Sequence, residues 1–434
     1  MTRRDIDIFG LPYVPGSVRA RLRRATHPEA RNGIVLLAES DMETLAAAPL
    51  GMVVVDGAPL SHRMIRLMGL GVPTVIVSSG QALALEPGRE ILLDGSTGRI
   101  SSHGDASRGV ISAPPTGPAC TADGTEIRLL ASVRNHVTAR RARENGAEAI
   151  GLVRSEFVAP QDDRQPDLDF YVQALGEICR AAAPLDVTVR LLDVGADKMP
   201  GWLPPTGLSD PSLGLQGVRL FGSEPVRSVC LAQLAAIRKL SGQFSLRVLL
   251  PYLARHEELH FWADRLRRHL PDSVPIGAMA ETPAAALDLG RWFDRADFVA
   301  LGCNDLMQCL FAADRSSPDL RNYLDPYAPP LYRFLREIAV GAQGHLRQVQ
   351  LCGVLAQLPG VLPVLLGLGY RVFSVEAALI PHLRQTVLAS HISEAKILAE
   401  RACGASESRQ VREILGIVTG LGPPFLLPQL PWED

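Results

Sequence analysis

Three arginines follow closely on apolar runs: Arg154 in LVRSEF, Arg190 in VTVRLLD and Arg315 in AADRSS. Converging guanidinium groups suit a multiply charged phosphate or carboxylate, because each offers a planar hydrogen-bonding fork and keeps its proton. Taken singly, each is as well explained by a surface or inter-strand ion pair. Glu281 in GAMAET and Asp305 in GCNDLM close two further runs. Both are oxygen donors of the kind Mg²⁺ takes, one or two carboxylates completed by water and substrate oxygens. Helix capping is the competing role, since Glu281 precedes Thr282-Pro283 and Asp305 precedes a Leu-Met-Gln run. Cys352 in QLCGV is by default an inert core thiol, although a glycine at the strand end and charged neighbours leave a functional thiol open. His62, in DGAPLSHRMI between two strand-like runs, reads locally as a solvated loop histidine.

These residues can act together only if a fold gathers them. From about residue 125 onward, strand-like runs alternate with helix-like ones: IRLLASV, AIGLVRS, VTVRLLD, SLRVLLPYL, PIGAMAET, DFVALGCND, VQLCGVLA and YRVFSVEA. Eight such runs close a parallel (β/α)8 barrel, and strand C-termini in that fold converge on one face. Arg154 and Glu156 end the second run, Asp193 the third, Glu281 the fifth, Asn304 and Asp305 the sixth, and Gly353 lies near the end of the seventh. The intervening HVTARRARENG, FYVQALGEICRAA and EPVRSVCLAQLAAIRKL carry apolar residues at helical spacing. Upstream, GIVLLAES, GMVVVDGAP, VPTVIVSSG and REILLDGSTGRI read as strands of a compact small domain. The expected organisation is a small α/β domain over 1–101, a Gly/Ser/Ala/Pro-rich linker over 102–122, and the TIM barrel with C-terminal helices over 123–434.

Composition narrows the class. With 434 residues, 47% hydrophobic content and a formal net charge of -2, the chain can bury a large core and has no broad cationic surface for nucleic acid. Seven scattered cysteines without a Cys-x-x-Cys pair point to a reducing cytoplasm. Pro and Gly interrupt the N-terminus before any signal-like apolar run, and Pro363, Gly367, Gly369, Arg371 and Glu376 break the apolar stretch 361–380, so a core helix plus strand is expected there and no membrane anchor.

In order along the chain, GAEAIGLVRSEF, VTVRLLDVGADK, PSLGLQGVRL, IGAMAETPAA, DFVALGCNDLMQ with AADR, and LCGVLA with LLGLGYRVFSVEAALIP resemble the barrel of the phosphoenolpyruvate-utilising enzymes. That family includes Enzyme I of the bacterial sugar phosphotransferase system, phosphoenolpyruvate synthase and pyruvate phosphate dikinase. DGAPLSHRMI followed by LGVPTVIV resembles the same family's swivelling phosphohistidine domain. The resemblance implies that His62 takes phosphate from phosphoenolpyruvate, that Arg154, Arg190, Asn304 and Arg315 bind the substrate, that Glu281 and Asp305 hold Mg²⁺, and that Cys352 exchanges the proton at the enolate methylene. It implies pyruvate as product, a separate phosphocarrier or nucleotide-binding protein as onward partner, and a homodimer. No carrier-binding or nucleotide-binding domain is evident.

The chain departs from the family pattern at four places: Leu60 stands for a threonine, Arg63 for a small residue, Gln216 for an arginine and Val354 for a glutamate. Leu60, Gln216 and Val354 keep open a non-catalytic phosphoenolpyruvate or pyruvate sensor or scaffold, and a third reading is a barrel enzyme acting on another enolpyruvate or 2-oxo acid.

Overall fold

A computed structural model describes residues 5–417 except 46, 105–116, 159, 161–162, 196–198, 204–213, 316, 318–319, 321–322 and 343, and without the side chains of residues 43, 44 and 62. Most of the expected linker and the last seventeen residues therefore lie outside the described residues.

The first sheet contains β1 (Asp7–Phe9), β2 (Leu11–Val14), β3 (Ser17–Arg24), β4 (Ile34–Ala38), β5 (Gly51–Val55), β6 (Thr74–Val77), β7 (Glu90–Asp94) and β8 (Arg99–Ser101). Their order is β1-β8-β7-β3-β4-β5-β6-β2, with β3 to β6 parallel and the others joined antiparallel. The expected small-domain strands appear as β4 to β8. The sequence reading did not include β1 to β3. In β3, Val18, Ala20 and Leu22 alternate with Arg19, Arg21 and Arg23, but only Leu22 is fully buried, so the basic residues obscure a half-buried strand.

Parallel β5 and β6 need a crossover, and the helix His62–Leu70 supplies it. Position 62 thus opens a helix rather than lying in an irregular loop. Ser61 caps it, its hydroxyl accepting from the Met64 N–H at 3.1 Å, and Gly71 ends it in the left-handed region at φ 68°. Met64, Ile65, Leu67 and Met68 bury the face turned to the core.

The second sheet begins with β9 (Ala119–Cys120), antiparallel to β10 (Glu126–Val133). It continues through β11 (Ile150–Arg154), β12 (Val187–Arg190), β13 (Leu246–Leu253), β14 (Ile276–Ala280), β15 (Phe298–Gly302), β16 (Val349–Cys352) and β17 (Val372–Glu376). β10 pairs in parallel with both β11 and β17, so β10 to β17 close an eight-stranded barrel that matches the eight runs read from sequence. Side chains alternate along each strand. Val248, Leu250, Ala278, Ala280, Val299 and Leu301 join the large outer core, whereas Leu152, Leu249, Met279, Phe298, Ala300 and Cys352 form a separate cluster filling the barrel. The stretch 361–380 is a helix (Val361–Gly367) followed by β17, and among the described residues no helix is long and apolar enough to cross a membrane.

The small domain rests on the barrel. Arg141 Nη1 donates to the carbonyl of Leu70 at 3.0 Å, which ties down the end of the helix opened by position 62. Gly69 lies so close to the barrel that a Cβ there would meet Glu376 Oε2 at 2.8 Å.

Candidate active site

The period of two that fills the barrel also builds its mouth. Continuing from the inward Leu152 and Met279, two residues further along each strand, brings Arg154 and Glu281 to the strand C-termini. A cavity of about 300 Å³ opens there, and it is lined by Arg154, Arg190, Glu281, Asn304, Asp305, Arg315 and Cys352, every barrel residue to which the family resemblance gave a role; Glu156 and Asp193 lie behind this lining, on Arg190. Arg134, Phe157, Gly302 and Gly353 complete the barrel side, and Arg63, Ile65 and Arg66 reach in from the small domain. The His62 side chain lies outside the described residues. Its backbone position, at the start of the helix and one turn from Arg66, adjoins the residues that line the cavity.

The charges are arranged in tiers. Arg190 is 4% exposed and contacts Glu156, Asp193 Oδ2 at 2.9 Å and Glu281 Oε1 at 3.7 Å. Burial opposes its charge, but Asp193, Glu156, Glu281 and Asp305 together hold its proton more tightly than in water. Arg315 pairs with Asp305 Oδ1 at 3.0 Å, and Arg134 with Glu376 Oε1 at 3.3 Å. Arg154 differs. Its Nε, like that of Arg190, has no hydrogen-bond partner among the described residues, but here burial, with Arg190 and Arg134 nearby, makes the charge less favourable despite Glu376 and Glu156. A half-buried guanidinium short of counter-charge in the lining of a cleft favours an anion.

The carboxylates are not helix caps. Thr282 caps the helix Pro283–Leu287, accepting from Ala285 N, while Glu281 Oε2 accepts from the Tyr252 N–H at 3.1 Å. Asp305 sits in the first turn of Cys303–Phe311, whose N-cap is Gly302. The ion-pair alternative holds in part, for Arg190 and Arg315. Both carboxylates reach one cavity from adjoining strand ends, and hard oxygen donors in this number, with room for further oxygens, fit a small divalent cation.

Asn304 is held in one orientation. Its Oδ1 accepts from the Val354 N–H at 3.1 Å, and Gly353, at φ 104°, passes so near that a Cβ there would lie 2.6 Å from the same oxygen. Asn304 is also one of the residues lining the cavity. Val354 does this through its backbone; its side chain is buried in the core, so the replacement of an acidic residue leaves this contact intact. Cys352 is 3% exposed, and burial pushes its thiol up to about 11, with Arg154 and a hydrogen bond from Gln350 opposing. At neutral pH it carries its proton.

Leu60 is likewise absorbed by packing, at 3% exposure. Beside it, Glu39 accepts from the Ala58 N–H at 2.8 Å and from the Ser61 hydroxyl, fixing the turn that leads into position 62. Gln216 does not line the cavity; it precedes the turn Gly217–Leu220, and Arg219 beside it donates to Gly214 and lies over the Tyr252 ring.

Four contributors were not singled out from sequence: Arg134, Glu376, Gln357 and Arg66. Arg134 and Glu376 close the first and eighth runs, so the rule that found Arg154 and Glu281 would have found them. Gln357 is reachable only through structure, since its Oε1 accepts from Glu376 N and its Nε2 donates to Gly353 O, both at 2.8 Å. Arg66 depended on recognising the helix.

Residues 112–392 match the sequence model of the PEP-utilising enzyme family's PEP-binding domain. The chain is 32% identical over 377 residues to a phosphoenolpyruvate-protein phosphotransferase of Streptomyces coelicolor, covering 84% of this chain and 67% of that protein. It is 32% identical over 385 residues to a multiphosphoryl transfer protein of Xanthomonas campestris pv. campestris, covering 84% of this chain and 46% of the relative. A phosphoenolpyruvate-protein phosphotransferase of Cupriavidus necator is 29% identical over 438 residues, covering 93% of this chain and 74% of that protein. The aligned region thus spans from about half to three-quarters of these relatives' lengths. With a closed barrel, a cationic cleft at its strand C-termini and a family match across most of its length, the chain belongs to the PEP-utilising enzyme family.

Proposed function

We propose that the protein is a phosphoenolpyruvate-dependent phosphotransferase that moves the phosphoryl group of phosphoenolpyruvate onto His62 and releases pyruvate. The observation that carries this reading is the convergence, in one cavity, of six residues from separated strand ends and of Arg315, which follows the helix Cys303–Phe311, with the helix that position 62 opens. Arg154, the guanidinium short of counter-charge, binds the substrate anion with Arg315. Arg190, neutralised by carboxylates, positions as much as it binds. Asn304 offers its amide to a substrate oxygen.

Glu281 and Asp305 are the residues that would hold Mg²⁺, which when bound supplies positive charge against the phosphoryl oxygens. The His62 imidazole attacks phosphorus as the bond to the enolate oxygen breaks, and the enolate carbon takes the Cys352 proton to give pyruvate. The thiolate regains a proton from water. A buried thiol that keeps its proton at neutral pH suits that donation. The positive end of the helix Ser61 caps lies at position 62, where it favours the phosphorylated histidine.

The onward acceptor is a separate phosphocarrier protein. The Streptomyces and Cupriavidus relatives are named for phosphotransfer to a protein, which supports a protein acceptor here. Free thiols at all seven cysteines suit a reducing cytoplasm. Mixing the protein with phosphoenolpyruvate and Mg²⁺, without acceptor, should release a burst of pyruvate stoichiometric with the protein. Catalytic release without a burst, or none at all with phosphoenolpyruvate bound, contradicts the reading.

A further inference from the structure

On the outside of the barrel, away from the cleft, the sequence His256-Glu257-Glu258-Leu259-His260 opens the helix that follows β13. Residues four apart on a helix share one face, one turn apart. Here that spacing brings the two imidazoles into edge contact, with ring centroids 4.4 Å apart, and Asp294 meets both from the turn Leu289–Asp294 that precedes β15. His256 Nε2 lies 2.9 Å from Asp294 Oδ1, His260 Nε2 lies 3.1 Å from Asp294 Oδ2, and the two Nε2 atoms are 3.1 Å apart.

We propose that His256, His260 and Asp294 form a binding site for a divalent transition-metal ion of the Zn²⁺ class. The two imidazole nitrogens each approach a different oxygen of the Asp294 carboxylate, and one donor atom from each of the three residues lies within 4.8 Å of the others. For metal–nitrogen and metal–oxygen bonds of about 2.0–2.2 Å, a tetrahedral shell separates its donors by roughly 3.3–3.6 Å, so the two nitrogens, 3.1 Å apart, need to part by only a few tenths of an ångström. Protonation also favours an ion. If both Nε2 atoms donate to Asp294, two N–H groups face each other; if either is stripped, one contact with the carboxylate becomes a lone-pair repulsion. A cation replaces these contacts with attractive ones. Two imidazoles and one carboxylate select Zn²⁺, Co²⁺ or Ni²⁺ over Mg²⁺, which prefers oxygen.

Access is open. The side chains of His256, His260 and Asp294 are 27%, 34% and 48% exposed, which leaves room for water as a fourth ligand. One neighbour must yield: Arg295 Nε donates to His260 Nδ1 at 3.2 Å, and an imidazole bound through Nε2 carries its proton on Nδ1. Arg295 already lies 3.8 Å from Asp264 and is 46% exposed, so it can turn toward that carboxylate. The ion would clip together the segments that follow β13 and precede β15, on either side of the β14 strand that leads to Glu281.

The test is a titration of the full-length, reduced protein with Co²⁺ in excess Mg²⁺, which occupies the oxygen-rich cleft, followed by absorption spectroscopy. The expected result is one equivalent of Co²⁺ with d–d bands of a low-coordinate nitrogen and oxygen shell and no thiolate charge-transfer band. That equivalent should be lost in His256→Asn plus His260→Asn, and Arg295→Ala should tighten it severalfold. An unchanged equivalent in the double variant, or a thiolate band in the wild type, overturns the proposal. Should the double variant not fold, X-ray absorption of the Zn²⁺-loaded wild type decides: two imidazoles in the shell support the site, and none refutes it.

Discussion

Gly302→Ala should disable the cleft without unfolding the barrel. An ideal Cβ at this position would lie 2.5 Å from Glu281 Cγ, 2.7 Å from Oε1 and 3.0 Å from Cδ. Ordinary contact begins near 3.4 Å, so the Glu281 side chain must retreat by roughly 1 Å. It has little room to do so, being 1% exposed and tied through Oε2 to the Tyr252 N–H. Backbone strain does not enter, because Gly302 has φ -83° and ψ 81°, a φ open to alanine. Overpacking of this kind costs about 1–3 kcal/mol of stability, whereas displacing a positioned group by about 1 Å costs on the order of 10²-fold in rate. The assay is the pyruvate burst as a function of Mg²⁺, with thermal unfolding alongside. Gly222→Ala, where a Cβ would meet nothing within 4 Å, serves as the control. A Gly302→Ala protein with wild-type burst rate and wild-type Mg²⁺ dependence would refute the role given to Glu281, whatever its melting temperature.

Arg154→Met should leave stability unchanged or slightly raised, since burial disfavours that charge, while weakening phosphoenolpyruvate binding roughly ten- to a hundredfold by calorimetry. For Cys352, the raised thiol implies alkylation that is slow at neutral pH and accelerates roughly tenfold per pH unit until it levels off near 11, read by mass spectrometry of the tryptic peptide. Cys352→Ser should cut deuterium uptake at the pyruvate methyl group by about 10²–10⁴-fold. Gly69→Leu, which drives a side chain into the Glu376 carboxylate, should loosen the seated helix and slow histidine phosphorylation while the barrel keeps its pyruvate exchange.

The barrel was legible because its strands are continuous apolar runs and its functional residues obey one positional rule, polar side chains at the ends of those runs. Arg154, Glu281 and Asp305 follow it, and so do the overlooked Arg134 and Glu376. The small domain was legible only in part. Four basic residues hide the alternation of β3, and the helix His62–Leu70 was passed over, although Ser61 and the apolar spacing of Met64, Ile65 and Met68 mark its start. Ion pairing was invisible for a different reason. Which arginine is neutralised and which is left short of counter-charge depends on strands far apart in sequence, as in the contact of Arg190 with Glu281. Likewise, the His256 and His260 spacing becomes informative only when Asp294 is brought beside it.

The central claim is that position 62 receives the phosphoryl group. Incubation with phosphoenolpyruvate labelled in the phosphoryl group, with Mg²⁺, should leave acid-labile, base-stable phosphate on the protein that maps to His62. The label should vanish in His62→Ala while phosphoenolpyruvate binding and Cys352-dependent proton exchange persist. Labelling of His62→Ala at the wild-type level, or a wild-type protein that binds phosphoenolpyruvate and Mg²⁺ yet never becomes labelled, would contradict it.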